Sequence, residues 1–277
     1  MASDLGVLIV HGMGAQKPDF ADAFIAEMRG RLIRLGVAPE AVAWRAGYWA
    51  DTVKQREDDL WRDLSRDHTM RWEEARRFVI SHFGDALAYQ RVPSQGMDVY
   101  RAIHARIRAH LGALREQMGS DRPIVVIAHS LGSAIVSNYI WDEQKAPSAD
   151  TTATQRMETL AGLVTFGSNI PLFTLCLDEV VSIRFPVPAL TGPLRDASRW
   201  LNFFDADDVL GYPLRPLSES YRQAVSADLQ INVGSAGRSW NPMSHEEYWT
   251  DNDFTAPVAA LIRDLLEAGR MGVSGKR

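Results

Sequence analysis

Three apolar runs, GVLIV at 6–10, IVVIA at 124–128 and LAGLVTF at 160–166, constrain the fold more than any other feature of the chain. Each has strand length, and apolar residues stand at consecutive rather than alternate positions. A strand of that kind is buried on both faces, as in a parallel sheet covered by helices above and below. The helices are legible between the runs. Phe20, Phe24, Met28 and Leu32 fall four apart, and Val99, Ile103, Ile107, Leu111, Leu114 and Met118 line one helical face. Phe254, Val258, Leu261, Leu265 and Leu266 repeat the pattern near the C-terminus. Strands alternating with helical stripes predict an α/β fold, a mainly parallel sheet with helices on both faces. Residues 41–49, 200–204 and 229–233 read as further, shorter strands.

The stretch 51–83 carries Leu60, Trp61, Leu64, Trp72, Phe78 and Val79 among many charges, and predicts one or two helices outside the sheet-and-crossover plan. With the residues up to about 95 it forms an expected helical cap inserted in a single domain spanning 1–277. Most of its aromatic residues are expected to bury against the sheet. Arg71, Arg76 and Arg77 are interspersed with Glu73 and Glu74, the pattern of a solvated helix face. Residues 142–157 are polar and aperiodic, a surface loop. Pro186, Pro188 and Pro193 make 184–198 irregular, and GRMGVSGKR at 269–277 reads as a frayed, disordered tail.

Composition narrows the partners. A net charge of −5 leaves no overall positive field, so no nucleic-acid partner is expected and peripheral membrane contact is not indicated. The single cysteine, Cys176, excludes an intrachain disulfide framework and a Cys-based zinc cluster, and suits a reducing compartment. MASDLGVLIVHG lacks the basic start of a secretory signal. No run approaches the ~18 apolar residues of a membrane span. A cytoplasmic location is expected.

The chemistry centres on Ala128-His129-Ser130-Leu131-Gly132, at the end of an apolar strand and the start of a helix. It matches the nucleophile elbow Gly-x-Ser-x-Gly with alanine in the first place. The turn is tight, and the helix packs close to the neighbouring strand, so the residues around the serine must be small. A Ser-Gly turn with no chemistry would use the same residues, so the partners decide. One candidate partner is His11-Gly12-Met13-Gly14, a glycine-rich loop directly after the first strand. Ester hydrolysis develops negative charge on the carbonyl oxygen, and two backbone N–H donors aimed there lower the barrier. Leu131, next after the serine, supplies one, and Met13 is the expected source of the other. The loop lacks both the dinucleotide fingerprint and the P-loop lysine and hydroxyl, and His11 is expected to fix it by hydrogen bonding.

A serine hydroxyl needs a base, and the base needs a carboxylate to hold its tautomer. His245 is the sole histidine after Ser130, which makes it the base by elimination if acid and histidine follow the serine in the chain. His129 adjoins the serine in sequence, so its side chain points elsewhere and is expected to be structural. For the acid, LNFFDADDVLGYPL offers Asp205, Asp207 and Asp208. Asp208, a strand-end acid before a short apolar turn, is favoured, with Asp205 second. No set of His, Cys and carboxylates has metal spacing, so neither a metal nor a cofactor is expected.

VLIVHGMGAQ, GDALAYQ, AHSLGSAIV, TFGSNIPLF, LNFFDADDVLGYPLRPL and HEEYWTDNDF occur in this order over most of residues 5–256. Together they resemble an α/β-hydrolase, and specifically the DDHD-type intracellular phospholipases and related bacterial lipase-like hydrolases. In that pattern the acid falls on Asp208, the histidine before Tyr-Trp on His245, and a later acid on Asp253, for which capping the final helix is the expected role. Tyr248 and Trp249 are expected to anchor the histidine segment in the core. Ala128 departs from the pattern's glycine and Val209 from its proline, and the long accessory regions of eukaryotic members are missing. The resemblance implies a serine ester hydrolase with Ser130 as nucleophile, acting on a small-molecule or lipid acyl ester. A silent hydrolase fold used for binding would be favoured by loss of a triad member, and none is lost; a thioesterase or amidase would carry the same triad.

Overall fold

The computed structural model describes residues 3–14, 16–66, 71–90, 98–233 and 248–274. In chain order these form β1 (Leu5–Val10), α1 (Asp22–Arg34), β2 (Val42–Gly47), α2 (Asp51–Ser65), α3 (Glu73–Ala88) and α4 (Asp98–Met118). Then come β3 (Ile124–His129), α5 (Leu131–Lys145), β4 (Leu160–Phe166), α6 (Ile170–Phe173) and α7 (Gly192–Ala197). The last are β5 (Arg199–Asp205), α8 (Glu219–Ala224), β6 (Ala227–Ile231) and α9 (Asn252–Ser274).

The six strands make one parallel sheet in the order β2-β1-β3-β4-β5-β6. Every residue of β1, β3 and β4 is buried, which is why their sequences show no alternation, whereas the edge strand β6 is largely half-buried. The predicted stripe of α4 is buried at Val99, Ile103, Ile107, Leu111, Leu114 and Met118. Phe24, Met28 and Leu32 of α1 and Phe254, Val258, Leu265 and Leu266 of α9 are buried in the same core. Among the described residues, no helix is long and apolar enough to cross a membrane.

The chain runs outward from β1 to β2, then returns to place β3 on the other side of β1. Strand order therefore reverses between β1 and β3, and in open parallel sheets the crevice beyond the carboxyl ends at such a point is where ligands bind. Val10 is level with Ala128 across the β1–β3 pair, and His129 is level with Phe166 across β3–β4. Residues 11–14 and the serine corner thus emerge side by side at the switch point.

Three sequence expectations need correction. The helix expected to end near residue 141 continues to Lys145 before the loop begins. The proline-rich region holds a short helix, α7, because Pro193 sits in its first turn, where the missing N–H costs nothing. The expected frayed tail is helical through Ser274. Gly269 and Gly272 do not take the left-handed backbone that ends a helix, and Arg270 lies 3.5 Å from Asp4 at the start of the chain.

Candidate active site

Ser130 occupies the corner between β3 and α5 with φ 49° and ψ −123°. A non-glycine residue at positive φ is strained, by about 1–3 kcal/mol in such sparsely populated regions, and persists only where its surroundings hold it. The surroundings are explicit. The Ser130 N–H donates to the Phe166 carbonyl at 3.0 Å, and its carbonyl accepts from the Ser133 hydroxyl at 2.7 Å. The side chain is buried, and among the described residues its Oγ has no hydrogen-bond partner.

Two glycines let the β1 loop approach this corner. A Cβ on Gly132 would lie 2.5 Å from the His11 carbonyl oxygen and 2.9 Å from that of Val10. A Cβ on Gly12 would lie 2.7 Å from Ser130 Cβ and 3.3 Å from Oγ. The size requirement read from the sequence is thus a backbone-to-backbone contact. Gly132→Ala is expected to cost about 1–3 kcal/mol from overpacking. Thermal unfolding checks it.

His11 is a neutral loop-fixing residue. Its Nε2 accepts the Trp49 N–H at 3.1 Å, which leaves Nδ1 to carry the proton and donate to the Gly12 carbonyl at 2.8 Å. Trp49 stacks on the ring at 4.8 Å and donates its indole N–H to the His11 carbonyl. Burial lowers the imidazole to about 4, so it stays neutral throughout the physiological range. Beyond it Met13 is half-buried, and Gly14 turns at φ 96° to donate its N–H to Asp85 of α3 at 3.0 Å. His129 is buried, stacked on Phe166 at 4.7 Å and edge-on to Trp249.

The three aspartates separate by their partners. Asp205 is buried, and its two carboxylate oxygens accept the backbone N–H groups of Asp207 at 2.8 Å and Val233 at 2.6 Å. It ties its own turn to the end of β6. Asp207 is exposed. Asp208 is buried; it accepts the Leu210 N–H at 2.9 Å and the Tyr248 hydroxyl at 2.8 Å. Tyr248 also accepts the Asp205 N–H, and burial together with the Asp208 charge raises its hydroxyl above the usual range. Tyr248 is fully buried and Trp249 packs against Phe24 and Phe166, as the sequence suggests. His245 lies outside the described residues. Asp253 is exposed in the first turn of α9, and the capping acid is instead Asp251, whose Oδ1 accepts the Asp253 N–H at 2.7 Å.

A cavity of about 690 Å³ runs along one face of α5, lined by Ala134, Asn138 and Trp141 of that helix together with Tyr89, Tyr100 and Phe173. Ala134 stands one helical turn beyond Ser130. Among the described residues, no group of three or more His, Cys, Asp or Glu side chains could hold a metal ion. Sequence reasoning missed Trp49, which sets the His11 tautomer, and Asp85, which holds Gly14. The second lay inside the GDALAYQ block, quoted with no role.

The chain matches no known family profile and no curated protein. Among solved structures it is similar to a protein from Xanthomonas campestris pv. campestris described as a hydrolase of the alpha/beta superfamily, with 15% identity and TM-score 0.39, covering 92% of this chain and 98% of that one. A protein from Thermus thermophilus has 12% identity and TM-score 0.42, over 96% and 90% of the two chains. A lipase-esterase related protein from Clostridium acetobutylicum has 12% identity and TM-score 0.37, over 95% of each.

Proposed function

We propose that this chain is a serine ester hydrolase acting through an acyl-enzyme on a small-molecule or lipid acyl ester. The observation that carries the reading is the Ser130 corner: a strained strand-to-helix turn, packed through two glycines against the loop that follows β1.

In this reading Ser130 Oγ attacks the acyl carbonyl while His245 takes its proton and then returns it to the leaving alcohol. Asp208 holds the histidine in the required tautomer. The N–H groups of Leu131 and Met13 receive the oxyanion. Leu131 is the first helical residue of α5, where an N–H has no intrahelical acceptor and the helix dipole is positive. Water, deprotonated by the same histidine, then releases the acid. His245 precedes Tyr248 by three residues, at most ~11 Å of extended chain. The Tyr248 hydroxyl is hydrogen-bonded to both the Asp208 carboxylate and the Asp205 N–H, so this tether keeps the histidine segment near the aspartate turn, and the choice of Asp208 within it follows the sequence pattern. The cavity along α5 offers room for an acyl chain. The likeness to DDHD-type phospholipases rests on the sequence blocks alone, and a phospholipid substrate needs its own assay.

Treatment with a fluorophosphonate probe, followed by peptide mapping, tests the reading. A single adduct on the peptide containing Ser130, with turnover of acyl esters, supports it. A folded protein that hydrolyses esters with no adduct at Ser130 overturns the nucleophile assignment. A folded protein that does neither has a closed cap or a silent site, and moves the binding-module reading ahead.

A further inference from the structure

Asp85 of α3 is buried, yet the sheet and the serine corner make no use of it. Its Oδ2 accepts the Gly14 N–H at 3.0 Å, across 71 residues of sequence. Its Oδ1 is buried and receives no N–H or O–H donor from the rest of the described protein; the same holds for Oε1 of Glu57 on α2. Glu57 Oε1 lies 3.9 Å from the place a Cβ of Gly84, the residue before Asp85, would take. Two carboxyl groups set close together, with no donor on these buried oxygens, cannot both stay ionised, so one of them holds a proton.

We propose that Asp85 is a positioning residue for the oxyanion loop, fixing the Met13–Gly14 peptide from helices α2 and α3 through a carboxyl pair that shares one proton with Glu57. The inference rests on the hydrolase reading above, in which the neighbouring Met13 N–H receives the oxyanion. With the proton in place, Asp85 presents a fixed acceptor to Gly14 and the carboxyl pair carries one negative charge. Without it, two buried carboxylates repel and the loop loses its anchor.

The charges around the pair set the pH at which this happens. Burial raises the Asp85 carboxyl to about 8; the Gly14 N–H opposes the rise and the Glu57 charge adds to it. Burial also raises Glu57, opposed by Asp85 and Lys54 and reinforced by Asp58. The folded protein therefore keeps the shared proton below about pH 8 and loses it above. An aspartate whose folded value is raised makes stability fall with rising pH, from the ordinary aspartate range up to that point. For activity the expected mark is an alkaline decline in kcat near pH 8, separate from any acid limb set by the base.

Three variants of the full chain test this with a chromogenic acyl ester and parallel fluorophosphonate labelling. Asp85→Ala removes the acceptor, and kcat is expected to fall by about tenfold or more, a fraction of a whole oxyanion donor, with KM within about twofold. Asp85→Asn keeps an acceptor for Gly14 and supplies a permanent N–H donor to Glu57. Glu57→Gln supplies that donor from the other side. Both are expected to keep kcat at pH 7 within about threefold and to lose the alkaline decline. Wild-type kcat in Asp85→Ala, or an alkaline decline that persists in Asp85→Asn, overturns the proposal. So does an Asp85→Ala loss that only tracks the folded fraction, with unchanged labelling rate per folded molecule. A wild type that neither labels nor turns over removes the hydrolase reading itself and this proposal with it, and that failure is visible in the wild-type arm alone.

Discussion

On the proposed serine mechanism, Ser130→Ala is expected to lower kcat by roughly 10⁶-fold, close to the loss from removing all three triad members, because such residues act as a unit. The same variant should take no fluorophosphonate label. The fold gives this substitution a second signature. Ser130 sits at φ 49° with a buried hydroxyl that has no partner among the described residues. Alanine removes the hydroxyl but keeps the strained backbone. Ser130→Gly removes both, since glycine reaches positive φ without a Cβ clash. The expected stability order places Ser130→Gly above both Ser130→Ala and wild type. Relief of about 1–3 kcal/mol of strain would raise Tm by roughly 2–6 °C for Ser130→Gly. Differential scanning calorimetry checks the order. A lower Tm for Ser130→Gly would mean that the corner is relaxed and that the serine is there for packing.

The parts of this architecture that were legible in the sequence are those governed by short-range pattern. Residues 6–10, 124–128 and 160–166 announced buried strands because every side chain of a doubly covered strand is apolar, and the α4 stripe from Val99 to Met118 announced its buried face by period alone. The serine corner was legible because its size constraint falls on adjacent residues. What escaped was set by contacts between distant segments. Gly14 and Asp85 lie 71 residues apart, and nothing local to either shows that one holds the other. The difference between Asp205 and Asp208 is of the same kind, decided by Val233 and Tyr248 far along the chain. The capping acid of α9 was misassigned for a smaller reason: Asp251 and Asp253 differ by two positions, and element boundaries are the weakest part of any pattern reading.

Asp208→Asn is expected to lower kcat by roughly 10⁴-fold with little change in KM, the size of effect seen when a triad histidine loses the carboxylate that sets its tautomer. An amide in that place keeps the volume, its oxygen can keep the Leu210 N–H, and its NH₂ can donate to the Tyr248 hydroxyl, which unlike a backbone N–H can also accept, so the protein should remain folded. Asp205→Asn should behave in the opposite way. Its carboxylate accepts two backbone N–H groups, from Asp207 and Val233, and an amide can accept only one of them while turning an NH₂ group toward the other. A buried donor left facing a donor costs about 1–3 kcal/mol, so this variant should lose several degrees of Tm and keep a larger share of its kcat. The contrast separates orienting the base from holding the end of the sheet. Tyr248→Phe completes the test, because the tyrosine hydroxyl donates to Asp208 and accepts from the Asp205 N–H at once. If Asp208 is the triad acid, its loss should reduce kcat far less than Asp208→Asn does, while lowering Tm. Equal losses of kcat in Asp205→Asn and Asp208→Asn would mean that the pair acts through the shape of the turn, and a larger loss in Asp205→Asn would transfer the triad role to it.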